Sequence, residues 1–391
     1  MSAETTTAQP PAPLASRIIA GFEGRFHSVP VMLVLGLIWM FFATRSDAYL
    51  SSQNITNLVL QIVTTAILAL GIVFVLLVGE IDLSSAVLSG VCATVVANFA
   101  VSSGWHLGAA LAAGIAVGVV AMLCQALIVV FGVPSLIVTL GGMVVFQGLL
   151  LVVLPPEFTV SVGGTDYAKI ASTDVPTGAS FAVAIALWVG YAYSRWRSAA
   201  AGRERSWAVL STVVVGAAVL GGVAVLTRGN GLPLPVLILA LMLVVAAYAT
   251  SSTRYGVHLY AVGGDRVAAQ RAGIPVARMV VYSFLILGAC AAIAGVIDAA
   301  RLLSVSNSSG GGSLMLNAIA AAVVGGTSLF GGRGTVWSAL LGALVIGSIN
   351  NGVQLLGYSP EVQNFATGGV LVIAVAIDVV ITRGSLWPKK A

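Results

Sequence analysis

The sequence predicts an all-α, polytopic membrane protein: a bundle of about twelve transmembrane helices, ten at the fewest, with both termini cytoplasmic. Three observations lead there. The 391 residues have a mean hydropathy of +1.04, with 59% hydrophobic and only 8% charged residues, more apolar surface than a soluble domain can hide. Apolar segments recur along the whole chain, several near the ~20 residues that cross a bilayer. The basic residues between those segments are unevenly shared between alternate loops.

Taken in order, residues 1–27 are polar and contain Pro10, Pro11 and Pro13. They lack a charged start running straight into an apolar core, so they read as a disordered cytoplasmic tail rather than a cleaved signal peptide. Residues 28–383 read as one transmembrane domain, with apolar segments at about 29–43, 58–78, 86–101, 107–131, 135–154, 179–193, 208–226, 232–249, 280–300, 316–330, 336–356 and 365–381. The segments at 86–101, 179–193 and 316–330 are short for a span. Residues 179–226 look like an extra helical hairpin, preceded by the longest external loop (155–178) and split by a compact basic turn holding Arg195, Arg197, Arg203 and Arg205. Residues 384–391, with Lys389 and Lys390, form a second cytoplasmic tail. The 45 glycines, mostly in apolar contexts, suit close helix packing in lipid.

With the N-terminus inside and twelve spans, fourteen basic residues fall on the inside: Arg17, Arg25, Arg195, Arg197, Arg203, Arg205, Arg254, Arg266, Arg271, Arg278, Arg333, Arg383, Lys389 and Lys390. Four fall outside, namely Arg45, Lys169, Arg228 and Arg301. That bias places residues 251–279 in the cytoplasm.

Within this loop, Asp265 stands where an N-cap belongs, residues 266–272 are good helix formers, Gly273 falls at C′, and Pro275 forbids continuation. The pattern predicts a two-turn helix capped at both ends, too short to be stable alone. It therefore leans on its own protein or on a partner. A connector lying on lipid headgroups is the other reading, supported by Arg266, Arg271 and Arg278.

Enzymatic chemistry finds little support. The lysines are Lys169, Lys389 and Lys390, and none follows a glycine as a Walker A loop requires. His27, His106 and His258 are scattered, and Cys92, Cys124 and Cys290 sit singly in apolar runs as small packing residues, so no metal set is expected. The net charge of +5 is dispersed, which argues against nucleic acid and leaves lipid headgroups as its counterpart. Glu80, Asp82, Asp298 and Asp378 lie near segment ends rather than mid-span, so a carboxylate relay for a driving ion is missing. Asp298 with Arg301 and Asp378 with Arg383 read as helical pairs.

Polar uncharged residues do occur in or beside the spans, and each needs a hydrogen-bond partner from another helix or from a wet path. Ser84, Thr139, Gln147, Asn317, Thr327, Asn350 and Gln354, together with the acidic Asp82, are the candidates for a translocation path or gate. Such a lining suits a neutral, hydroxyl-rich solute, and a channel would show the same lining. Asp82 or Ser84 also reads as a helix cap, and Gly325-Gly326 with Gly331-Gly332 bracket a glycine-broken half-helix, tolerable only against a cavity or buried in protein.

Four stretches, GEIDLSSAVLSG (79–90), VPSLIVTLGGMVVFQGL (133–149), YAVGGDRVAAQRAGI (260–274) and NAIAAAVVGGTSLFGGRGT (317–335), resemble the permease subunits of bacterial ATP-binding-cassette sugar importers of the ribose and xylose type. They occur in the order found in that family and cover the chain from about residue 58 onward. The hairpin at 179–226 resembles the longer, xylose-type members. The family's usual Gly-Ile-Asp-Leu-Ser reads Glu80-Ile81-Asp82-Leu83-Ser84 here, so Glu80 is a departure.

The resemblance implies a homodimeric permease without enzymatic activity or bound cofactor of its own, in the bacterial cytoplasmic (inner) membrane. It would be served by a cytoplasmic ATPase that binds ATP and Mg, and by an extracytoplasmic sugar-binding protein. It also implies that Gly263, Gly264, Asp265, Arg266, Ala268, Ala269, Gly273 and Ile274 belong to a coupling helix received by the ATPase. The cargo would be a monosaccharide such as a xylose-like pentose. The alternative is an ion-coupled secondary transporter or a solute channel.

Overall fold

The computed structural model describes residues 29–200, 205–227 and 231–383. The two expected tails, Arg203, Arg228 and the side chains of the Asp378–Arg383 pair lie outside the described residues. Each of the twelve apolar segments coincides with a helix: α1 (Val29–Ala43), α2 (Ser52–Leu77), α3 (Ser85–Ala97, extended by a π turn at Asn98–Ser102), α4 (Leu107–Val130), α5 (Ser135–Val153), α7 (Thr177–Ala200), α8 (Arg205–Leu226), α9 (Leu234–Ser252), α12 (Val276–Leu302), α13 (Gly312–Val324), α14 (Trp337–Leu355) and α15 (Pro360–Arg383). Seven of them, α2 to α5, α9, α12 and α14, are long and apolar enough to cross a membrane. The segment at 316–330 does not run through as one helix, because α13 stops at Val324 and a glycine-rich turn follows.

Three shorter helices lie between the long ones: α6 (Asp166–Ser172), α10 (Arg254–Gly264) and α11 (Arg266–Arg271). Two small antiparallel sheets also depart from the all-α expectation. β1 (Thr159–Ser161) pairs with β4 (Ser304–Ser306), and β2 (Asp174–Val175) pairs with β3 (Leu232–Pro233). Runs of two or three residues are too short to show a period in sequence.

α2 is the axis of the bundle, buried along nearly its whole second half and packed against α9, α12, α13 and α14. α12 packs on α2, α3 and α4, and the contact with α4 is made by small residues. A Cβ on Gly118 would lie 2.5 Å from the carbonyl of Gly288, and one on Gly288 would lie 2.4 Å from that of Gly118, so the two backbones touch. Polar residues stitch α1, α2 and α14 together. Asn54 and Asn351 exchange amide hydrogen bonds at 2.9 and 3.2 Å, Tyr49 donates to the carbonyl of Ser348, and Trp39 Nε1 donates to Ser348 Oγ. The α7–α8 hairpin packs on itself through Trp188, whose ring fits against Gly216.

The bundle has two distinct ends. α12 is 27 residues long, roughly 40 Å at the helical rise. At its C-terminus lie β4, β1 and α6, with Tyr167 buried and Asp166 paired to Lys169 at 2.7 Å. At its N-terminus lie α10 and α11. The Asp298–Arg301 pair expected on α12 forms at 3.0 Å.

Candidate functional site

The polar stretch 254–279 folds more than composition suggests. α10 buries Gly256, Leu259 and Val262, three apart, on one face, and ends in Gly263-Gly264. Asp265 then takes an extended conformation (φ −155°, ψ 104°), and its Oδ1 accepts from the N–H groups of Val267 and Ala268, both at 2.9 Å. That N-cap starts α11. Its end is closed by Gly273 at φ +79°, whose N–H donates to Gln270, while the N–H of Ile274 reaches back to Ala269; both bonds are 3.0 Å. This is the Schellman closure. Nothing would obstruct a Cβ at Gly273, so the backbone angle alone demands glycine there. Within α11 only Ala269 is buried; Arg266, Val267, Ala268, Gln270 and Arg271 are exposed.

Three glycine-containing stretches, far apart in sequence, meet beside this helix. A Cβ on Gly263 would lie 1.8 Å from the carbonyl oxygen of Leu77, the last residue of α2, and 2.5 Å from the nitrogen of Gly332. The Gly332 N–H donates to that Leu77 carbonyl at 3.1 Å. Gly331 sits on Gly79, and Tyr260 of α10 donates its hydroxyl to the carbonyl of Gly334 at 3.0 Å. The end of α2, the end of α10 and the turn after α13 therefore form one knot, with backbone against backbone. Inside it, Thr327 donates its N–H to Ala322 and closes α13, Ser328 donates its N–H to Arg333, and the buried Thr327 hydroxyl has no hydrogen-bond partner.

From the knot the chain passes through residues 78–84, the break between α2 and α3. Glu80 is buried and pairs with Arg266, the first residue of α11, at 2.5 Å. Ile81 donates its N–H to Ser135 Oγ at 3.2 Å and accepts from Thr139 Oγ1 at 3.3 Å, which ties the break to α5. Asp82 caps α3. Its Oδ2 accepts from the N–H groups of Ser84 and Ser85, and its Oδ1 accepts from Ser84 Oγ at 2.7 Å. Ser84, the other cap candidate, makes no side-chain cap of its own and instead accepts from Gln125 Nε2 at 3.1 Å. Gly142 leaves room for that amide, since a Cβ there would stand 2.0 Å from Nε2. Burial pushes the Asp82 carboxyl above the ordinary carboxylate range, and the hydrogen bonds from Ser85 and Ser84 oppose that rise.

Of the eight candidate path residues, Asp82, Ser84 and Thr139 are thus gathered at the α2–α3 break, with Thr327 in the adjoining knot. The other four are dispersed. Gln147 is exposed and donates to the carbonyl of Asn307, Asn317 is half-buried on α13, Asn350 accepts from Thr367 of α15, and Gln354 is exposed near the end of α14. Sequence reasoning missed Glu80 as a partner of Arg266 and Tyr260 as a clasp on Gly334. Glu80 and Arg266 stand 186 positions apart, beyond any local spacing rule.

Comparison with known proteins adds a second line of argument. Residues 54–375 match a family described as "Branched-chain amino acid transport system / permease component". The chain is 34% identical over 369 residues to the xylose transport system permease protein XylH of Escherichia coli (strain K12), covering 91% of this chain and 92% of the relative. It is 36% identical to the Haemophilus influenzae protein of the same name, covering 89% and 95%. Against the ribose import permease protein RbsC of Escherichia coli (strain K12) it is 30% identical over 351 residues, covering 89% and 92%. No solved structure matches.

Proposed function

The chain belongs to the permease-component family just described, and from that premise we propose that it is the permease subunit of an ATP-binding-cassette importer for a monosaccharide, a xylose-like pentose or similar sugar. In this reading two copies form the pore in the cytoplasmic (inner) membrane, with about twelve spans each and both termini in the cytoplasm. A cytoplasmic ATPase holding ATP and Mg supplies the energy, and an extracytoplasmic binding protein delivers the sugar. The chain itself performs no hydrolysis.

The observation that carries the reading is the placement of α11: a capped, outward-facing helix locked to the ends of α2, α10 and α13. Asp265, Arg266, Ala268, Ala269, Gly273 and Ile274 build the helix and its closures, and Gly263 and Gly264 join it to the knot. Exposed Ala268 and Val267 let an acceptor groove approach closely. ATP binding would draw the ATPase pair together, move α11, and through the knot shift the break at 78–84 between outward and inward access. Asp82, Ser84 and Thr139 stand at that break and Thr327 in the knot beside it; Gln147, Asn317, Asn350 and Gln354 would act farther along the path or as helix contacts.

The decisive experiment is reconstitution in liposomes with a xylose-type ATPase subunit and binding protein, reading uptake of labelled D-xylose, D-ribose and D-allose. Uptake that needs all three components and ATP is expected. Uptake by this chain alone would overturn the proposal in favour of an ion-coupled carrier or channel.

A further inference from the structure

We infer that the Glu80–Arg266 ion pair is a tension-bearing link that runs directly from α11 to the α2–α3 break, and that Glu80 is a positioning residue for the transport step. The inference rests on the reading of α11 as the ATPase-docking helix. Its physical basis is a difference between two kinds of contact. Backbone packed on backbone, as at Gly263 on Leu77, resists compression and therefore transmits a push. Such packing opposes separation only weakly, because dispersion contacts fade within about an ångström. A pull needs bonds. The knot ties α10 to the end of α2 through two hydrogen bonds, Tyr260 to the Gly334 carbonyl and Gly332 to the Leu77 carbonyl. From α11 itself, among the described residues, the side-chain bond that reaches the break is the one from Arg266 Nη2 to Glu80 Oε1.

The two ends of this pair differ in a way that fits a lever. Arg266 is the first residue of α11, and its side chain is 51% exposed, so it moves with the helix. Glu80 is only 7% exposed and is followed by Ile81, which α5 holds through Ser135 and Thr139, and by Asp82, which caps α3. Displacing the Glu80 carboxylate therefore acts on three helices at once. Withdrawing Arg266 would also leave a buried carboxylate without its counter-charge, which makes parting the pair unfavourable and keeps the two elements moving together.

The test uses the full chain reconstituted with the ATPase and binding protein, with labelled D-xylose or D-ribose as cargo, whichever the unaltered protein takes up. Glu80→Gln keeps the shape and removes the charge. Roughly tenfold less sugar moved per ATP hydrolysed is expected, with co-purification of the ATPase unchanged, because Glu80 lies beneath the docking surface. Glu80→Asp keeps the charge and should recover part of the loss. Combining Glu80→Gln with Arg266→Gln should add little to the single effect on the sugar-to-ATP ratio if the pair acts as a unit. A Glu80→Gln protein that keeps the normal ratio, or effects that multiply in the double variant, would overturn the link. Failure of the unaltered chain to bind the ATPase would instead overturn the docking reading on which the link rests. Misfolding is tracked separately by detergent-extracted monodispersity and thermal midpoint. Should Glu80→Gln fail there, Arg266→Lys, which keeps the charge but not the forked geometry, carries the test with a smaller loss of ratio expected.

Discussion

At the scale of single residues, the knot makes opposite predictions for two neighbouring glycines. A Cβ on Gly263 would fall 1.8 Å from the Leu77 carbonyl, whereas one on Gly264 meets nothing within 4 Å. Because the obstruction at Gly263 is backbone, it cannot rotate away. Gly263→Ala should lower stability by about 1–3 kcal/mol, the usual range for overpacking. Gly264→Ala should stay within about 0.5 kcal/mol. Thermal midpoints of the two purified variants in detergent check this, and equal midpoints would contradict the packing. Gly273 differs in kind, since space is free and only the left-handed backbone resists a side chain. Gly273→Val should cost about 1–2 kcal/mol locally. Hydrogen exchange at the amides of residues 267–274 should speed up while the amides of α12 stay protected.

At the scale of elements, the polar residues in the spans divide into contacts and break. Asn54 and Asn351 satisfy each other between α2 and α14, and Asn54 also donates to the carbonyl of Tyr49. Asn351→Leu should therefore cost about 0.6–1.7 kcal/mol, the scale of interhelical hydrogen bonds in membranes, and leave ATP-driven uptake intact. A variant with normal thermal stability and no uptake would move Asn351 to the path. The apolar helices are legible in the sequence because a helix in lipid must be apolar for most of its length. Their number as spans is not, since seven of them are long and apolar enough to cross a membrane and the segment at 316–330 stops being helical at Val324. The caps of α11 are legible because Asp265, Gly273 and Pro275 act on their own backbone neighbours. α10 is not, because its buried Gly256, Leu259 and Val262 are interleaved with Arg254 and His258 and resemble a loop. Nor is the meeting of Gly79, Gly263 and Gly331, since close approach depends on how distant helices pack and leaves no local spacing to read.

At the scale of the whole molecule, the charges at the two ends of the bundle predict which end lies on which side of the membrane. α2 runs from the neighbourhood of Tyr49 and Asn54 to Leu77 at the knot, and α12 runs from α11 to the β1–β4 sheet, so the knot and the sheet lie at opposite ends of helices 26 and 27 residues long. Arg254, Arg266, Arg271, Arg278 and Arg333 gather in and around the knot, while Arg45, Lys169 and Arg301 lie towards the other end. Lipid-headgroup and translocation energetics favour basic loops inside, so the charge distribution predicts that the knot faces the cytoplasm. Cysteine labelling tests this directly. In a Cys124→Ala background, which removes the exposed native thiol and leaves Cys92 and Cys290 buried, Lys169→Cys should react with a membrane-impermeant maleimide in whole cells stripped of their outer membrane. Gln270→Cys, on the exposed face of α11, should react only in inverted vesicles. The reverse pattern would put α11 where no ATPase can reach it. The capped helix would then need a partner outside the cell, and the break at Glu80 would lie beneath the sugar's entrance rather than above its exit.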